Sequence, residues 1–133
     1  MPAVRSYRDL LVWQKAMDIA VTTYDLSRQY PRDELFGLTS QSRRAAASVA
    51  ANIAEGYGRS SRGSYAHFLR IAQGSLKELE THLILAERVG VAPQLSTRGL
   101  LADADELGRM FRALIGKLEK PSQSGSSAFP PNS

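Results

Sequence analysis

From about Asp9 to Tyr30, Val12, Ala16, Ile19, Thr23, Leu26 and Tyr30 recur at alternating steps of four and three. That spacing is one face of an α-helix. Pro31 ends it, because proline lacks an amide proton and disfavours helical geometry in the residue before it. Asp33 and Gly37 then punctuate a short link. A second stripe, Leu38, Ser42, Ala45, Val49 and Asn52 or Ile53, predicts a helix over about 38–56, with Gly56 and Gly58 as its end. A third runs from Tyr65 through Phe68 or Leu69, Ala72, Leu76, Leu79 and Leu83 to Ala86. It predicts a helix over about 64–89, with serine N-caps before it and Gly90 after it. Leu100, Ala104, Leu107, Phe111, Leu114 and Leu118 predict a fourth over about 97–119, capped by Ser96 or Thr97 and closed by Pro121.

Four amphipathic helices of about 20 residues, each about 30 Å long, joined by short links, predict an all-α fold: an antiparallel up-down-up-down four-helix bundle. The steps of four and three favour left-handed packing. The bundle is expected to fill residues 1–120 as one domain. The tail, 121–133, is polar and rich in proline, serine and glycine, so it is expected to be disordered, with too little apolar surface to offset its ordering entropy.

Two surfaces exceed what one core needs. Trp13, Met17, Ala20 and Tyr24 form a second apolar stripe on the first helix, and the second helix carries Ala45, Ala46, Ala47, Ala50, Ala51 and Ala54 on many sides. The alanines are read either as a helix covered on more than one side or as the best helix-forming residue in use. Trp13, Met17, Ala20 and Tyr24 are the candidate oligomer interface, with Trp13 as anchor.

The chain has 133 residues, 43% hydrophobic and 23% charged, with no cysteine. These values fit one soluble globular domain, with no disulfide framework, thiolate metal site or membrane span, and the N-terminus lacks a secretory pattern. A cytoplasmic protein is expected. A bundle that holds a carboxylate-bridged metal pair needs Glu-x-x-His on two helices. Here His67 and His82 share the third helix, and neither has a glutamate three residues before it. With no nucleophile-base or phosphate-loop motif either, the chain reads as non-catalytic and without a cofactor.

Asn52 and Glu55 lie on or beside an apolar stripe, where burial demands partners. They are expected to be buried polar residues that set helix register, in preference to forming a binding pocket. A turn centred near Ser60 and Ser61 brings Arg43 opposite Glu78, with Arg44 and Glu80 close by, and predicts a structural ion pair or small network bridging helices two and three. The net charge is +4, and most of the excess falls at one end of the bundle. Arg5, Arg8, Arg59, Arg62, Lys117 and Lys120 gather there against Asp9, Glu55 and Glu119. None of the six is needed for the apolar stripes.

Four segments carry a resemblance. They are Asp9-Leu10-Leu11-Val12-Trp13-Gln14-Lys15-Ala16, Gly37-Leu38-Thr39-Ser40-Gln41-Ser42-Arg43-Arg44-Ala45-Ala46, Asn52-Ile53-Ala54-Glu55-Gly56 and Gly74-Ser75-Leu76-Lys77-Glu78-Leu79-Glu80-Thr81. In this order they resemble the 23S rRNA intervening-sequence proteins over about residues 6 to 118. The resemblance implies a cytosolic bundle that assembles into a ring-like homopentamer, and it does not imply an enzyme. Some relatives are encoded within insertions in ribosomal RNA genes, and a related branch serves as the accessory protein of retroelement reverse transcriptases. In a parallel ring, the basic end would be repeated fivefold on one face and could attract nucleic acid through counterion release, or an acidic protein. The expected partners are therefore copies of the chain itself, then nucleic acid or an acidic protein.

Overall fold

A computed structural model describes residues 3–121. Within them the chain forms α1 (Leu11–Ser27), α2 (Ser40–Tyr57), α3 (Arg62–Arg88) and α4 (Arg98–Glu119), with no strand among the described residues. The tail beyond Pro121, expected to be disordered, lies outside the described residues.

The apolar stripes converge on one core. Val12, Ala16 and Ile19 of α1, Ala45, Val49 and Ile53 of α2, Leu69, Leu76, Leu79 and Leu83 of α3, and Ala104, Leu107 and Phe111 of α4 are at most 2% exposed. Each of the larger side chains contributes about 1.5–3 kcal/mol by leaving water. Residue numbers run oppositely across the α2–α3 seam, where Arg44 meets Glu78 and Ser48 meets Ser75. They do so again across α3–α4, where Arg62 reaches Lys117 and Leu118 while Leu76 lies against Gly108. Lys15 of α1 closes the circuit by reaching Glu106 at 3.0 Å and Asp103 at 3.3 Å on α4. The hydrogen bond to Glu106 is the main cause that holds its ammonium pKa above the ordinary 10.5; partial burial opposes it and Asp103 adds to it.

The helix ends differ from expectation in instructive ways. α1 begins after Asp9 because the Asp9 carboxylate accepts the Arg5 and Ser6 amides and caps a short 3-10 turn, Tyr7–Asp9. Leu10 is then extended and fully buried. α1 stops at Ser27, and Tyr30 is buried by the turn that follows. A 3-10 turn, Arg32–Glu34, and a π turn, Leu35–Thr39, lead into α2, with the Glu34 carboxylate accepting the Leu38 amide. Gly56 does not end α2. A Cβ there would lie 2.6 Å from Phe68 Cβ, so glycine lets α2 and α3 approach closely. Thr97 precedes α4 without capping it by its side chain, because its hydroxyl is committed to Glu87.

Candidate functional site

The second stripe of α1 and the outer alanines of α2 form the two walls of one groove. It encloses about 580 Å³ and is lined by Trp13, Met17, Ala20, Val21 and Tyr24 on one side and Ala47, Ala50, Ala51 and Ala54 on the other. Small side chains on α2 create the hollow, because an alanine wall leaves the volume a leucine would fill. Tyr7 packs edge-on to Trp13 with ring centroids 5.3 Å apart and closes one end. At the other end Asp25 and Arg28 form an ion pair. Ala20 and Ala50 form the floor, 9% and 4% exposed, whereas Met17, Tyr24 and Val21 stand open at 38%, 40% and 57%. Trp13 is half-buried against the core. All four candidate interface residues therefore lie together; within the single chain α2 is covered on its core side only, with Ala47 and Ala51 exposed along the groove.

The expected ion-pair network is only partly present. Arg44 Nη2 donates to Glu78 Oε2 at 2.8 Å and bridges α2 and α3. Arg43 does not join it: its Nε donates to Ser27 Oγ at 2.8 Å, and its guanidinium lies 4.8 Å from the Tyr24 ring centroid, both on α1. The seam is shifted by about one residue from the expected register, and one residue is about 100° around a helix, which exchanges Arg44 for Arg43. Glu80 instead takes Lys77, three residues back on its own helix. Glu55 is also corrected: it is exposed and pairs with Arg59 one turn on, because it lies just off the buried line of Val49, Ile53 and Gly56. Asn52 is half-buried and donates to Ser48 O at 2.9 Å and Ser48 Oγ at 3.1 Å.

The basic end is less uniform than its composition suggests. Arg62 is half-buried and donates to the carbonyls of Lys117 at 2.6 Å and Leu118 at 3.3 Å, so it caps the end of α4 and is part of the fold. Arg59 pairs with Glu55 and covers the Phe68 ring. Arg5, Arg8, Lys117 and Lys120 are exposed and form no ion pair among the described residues; Arg8 lies over the Tyr7 ring. Nearby, Arg70 and Glu119 pair across α3 and α4, which holds the Glu119 carboxyl below its ordinary value.

His67 is exposed, and the buried His82 Nε2 sits 3.9 Å from Glu78 Oε2, beyond hydrogen-bond distance. No group of three or more His, Asp or Glu among the described residues is placed to hold a metal ion. No helix among them is long and apolar enough to cross a membrane.

The profile of the 23S rRNA-intervening sequence protein family matches residues 8–113, which span all the groove-lining positions except Tyr7 and most of the bundle. The chain belongs to that family. Among solved structures, it is similar to a protein of unknown function from the S23 ribosomal protein family of Bacteroides thetaiotaomicron. The identity is 24%, the match covers 79% of this chain and 98% of that one, and the TM-score is 0.72. At that identity the likeness shows a shared fold. No protein of curated function matches the chain.

Proposed function

We propose that this family member is a non-catalytic cytoplasmic scaffold that assembles with copies of itself through the α1–α2 groove, with a ring of five as the assembled state. The observation that carries this reading is the groove: a continuous apolar hollow between two helices whose other faces already fill the core. Apolar side chains gathered along one hollow are a surface that a second copy could cover. Phe36, on the turn before α2, is 90% exposed, and Leu35 beside it is 49% exposed. Phe36 is not part of the groove lining, and an exposed aromatic of one copy seated in the groove of the next would make a head-to-tail contact, which closes into a ring when the rotation permits.

Light scattering at micromolar concentration tests the proposal. The wild-type chain should give a multiple of the monomer mass, and Ala51→Arg, at an exposed groove position, should lower it towards the monomer with helicity unchanged. A monomeric wild type overturns the reading, and a dimer or tetramer overturns only the ring of five.

A second reading is favoured by the exposed, ion-pair-free Arg5, Arg8, Lys117 and Lys120 at one end: the assembly presents them to nucleic acid, or to an acidic protein. Lys117→Glu with Lys120→Glu is the appropriate variant, since Arg62 and Arg59 have structural partners. It should weaken RNA or DNA binding and flatten its salt dependence while leaving mass and helicity intact. Absence of salt-dependent binding by the wild type at low ionic strength removes this reading.

A further inference from the structure

Three cationic side chains are half-buried among the described residues, and two of them have evident partners. Lys15 has two carboxylates and Arg62 has two carbonyls. Arg43 has neither. Its Nε is satisfied by Ser27 Oγ and its plane rests on Tyr24, but neither terminal nitrogen has a hydrogen-bond or ion-pair partner. A guanidinium carries five N–H donors and cannot give up its charge. Holding it partly out of water without a counter-ion is costly, and here the side chain is pinned in place from two sides.

A second pocket shares Arg28 with the end of the apolar groove. It encloses about 290 Å³ between the end of α1 and the turns that lead into α2. Arg43, Arg28 and Arg32 line it, together with Ser27, Thr39 and Tyr30, and no carboxylate does. The nearby acids Asp25 and Glu34 are engaged, with Arg28 and with the Leu38 amide. Tyr30 is 7% exposed, and its hydroxyl is buried without a partner.

We propose that this pocket binds a phosphate group, either as free phosphate or as the head of a small phosphomonoester, with Arg43 as the central ligand. Arg43 and Arg32, which have no ion-pair partner among the described residues, come from separate segments, and Arg28, already paired with Asp25, lines the same pocket; a tetrahedral anion can accept from more than one guanidinium, whereas a planar carboxylate would satisfy one fork. The pocket is present in the single chain, although Arg28 and Leu35 in its lining also border the surfaces assigned to self-association.

The test is an NMR titration of the full chain with sodium phosphate, methyl phosphate and sodium acetate at constant ionic strength. Saturable shifts at the Ser27 and Thr39 amides and at Arg43 Nε are expected with phosphate, and weaker or none with acetate. Response to both phosphates identifies a monoester head as an acceptable ligand, and response to sodium phosphate alone identifies the free ion. Arg43→Gln should weaken binding about tenfold or more, as expected for a charged hydrogen bond lost. Arg32→Gln, at an exposed position whose loss leaves the core intact, should weaken it severalfold, and Arg44→Gln should leave it unchanged. Shifts that do not saturate, equal binding of acetate, or phosphate affinity unaltered in both Arg43→Gln and Arg32→Gln would overturn the proposal.

Discussion

Helix α1 carries two apolar stripes one residue apart, and they meet different fates. Val12, Ala16, Ile19, Thr23 and Leu26 are closed over by the rest of the bundle and are at most 8% exposed. Trp13, Met17, Ala20 and Tyr24 line a hollow that α2 bounds but does not fill. Both stripes obey the same periodicity. Periodicity identifies surface that needs covering; the bulk of the opposing side chains decides whether the same chain covers it. The first stripe shares one core with Val49 and Ile53 of α2 and the leucines of α3 and α4, whereas alanines form the wall facing the second.

The largest effect is expected where the inner surface is densest. Phe111 is fully buried, so Phe111→Ala should cost about 3–5 kcal/mol, the range for aromatic truncation in a packed core. Urea denaturation measures it. A loss below about 1 kcal/mol would show that the inner face is no better packed than the groove, and the contrast would collapse.

Gly56 comes next. Gly56→Ala places a methyl group 2.6 Å from Phe68 Cβ and 3.3 Å from the Tyr65 carbonyl oxygen, atoms that cannot swing aside as a flexible side-chain end can. Overpacking of this kind costs about 1–3 kcal/mol. A raised melting temperature would instead mean that the helices separate freely at this crossing and that the gain in helix propensity wins.

The groove should behave in the opposite way. Met17→Ser and Ala51→Arg change exposed positions and should alter monomer stability by no more than about 0.5 kcal/mol. Their effect should fall on assembled mass. If either unfolds the monomer, the outer stripe belongs to the core after all.

The same contrast explains what could be read from the sequence. The four core lines needed only spacing and apolar character, and the second stripe of α1 followed by the same rule. Register did not. Whether Arg43 or Arg44 faces Glu78 turns on a single residue, and the polar turn between Tyr57 and Arg62 has no feature that fixes it to that accuracy. Glu55 failed for a related reason: a residue beside a stripe can fall on either side of the burial boundary. Gly56 and Arg62 were misread because their roles, close helix approach and capping of a distant helix, involve partners far away in sequence. The polar pocket around Arg43 joins α1, the link and α2, and no local pattern announces it.

The smallest effect lies outside both faces, in the α3–α4 connection, which serves as a reference that neither core nor groove mutations should disturb. There Leu95 adopts φ 68°, a conformation that a non-glycine side chain disfavours. Glu87 holds it: the carboxylate accepts the Thr97 hydroxyl and, at 2.9 Å, the Leu95 amide. The Thr97 bond, followed by the Leu95 amide, lowers the Glu87 pKa below its ordinary 4.5. A carboxylate with a depressed folded-state pKa contributes stability that is present above the unfolded value and is lost as pH falls through the folded one. The Leu95 and Thr97 amide resonances should therefore titrate with a midpoint below 4.5, while core resonances such as Phe111 stay unchanged over that step. Glu87→Gln should abolish the titration and leave the mass of the assembly as it was. A midpoint at or above 4.5 would mean that the carboxylate is free in solution and that the turn is held by its backbone alone.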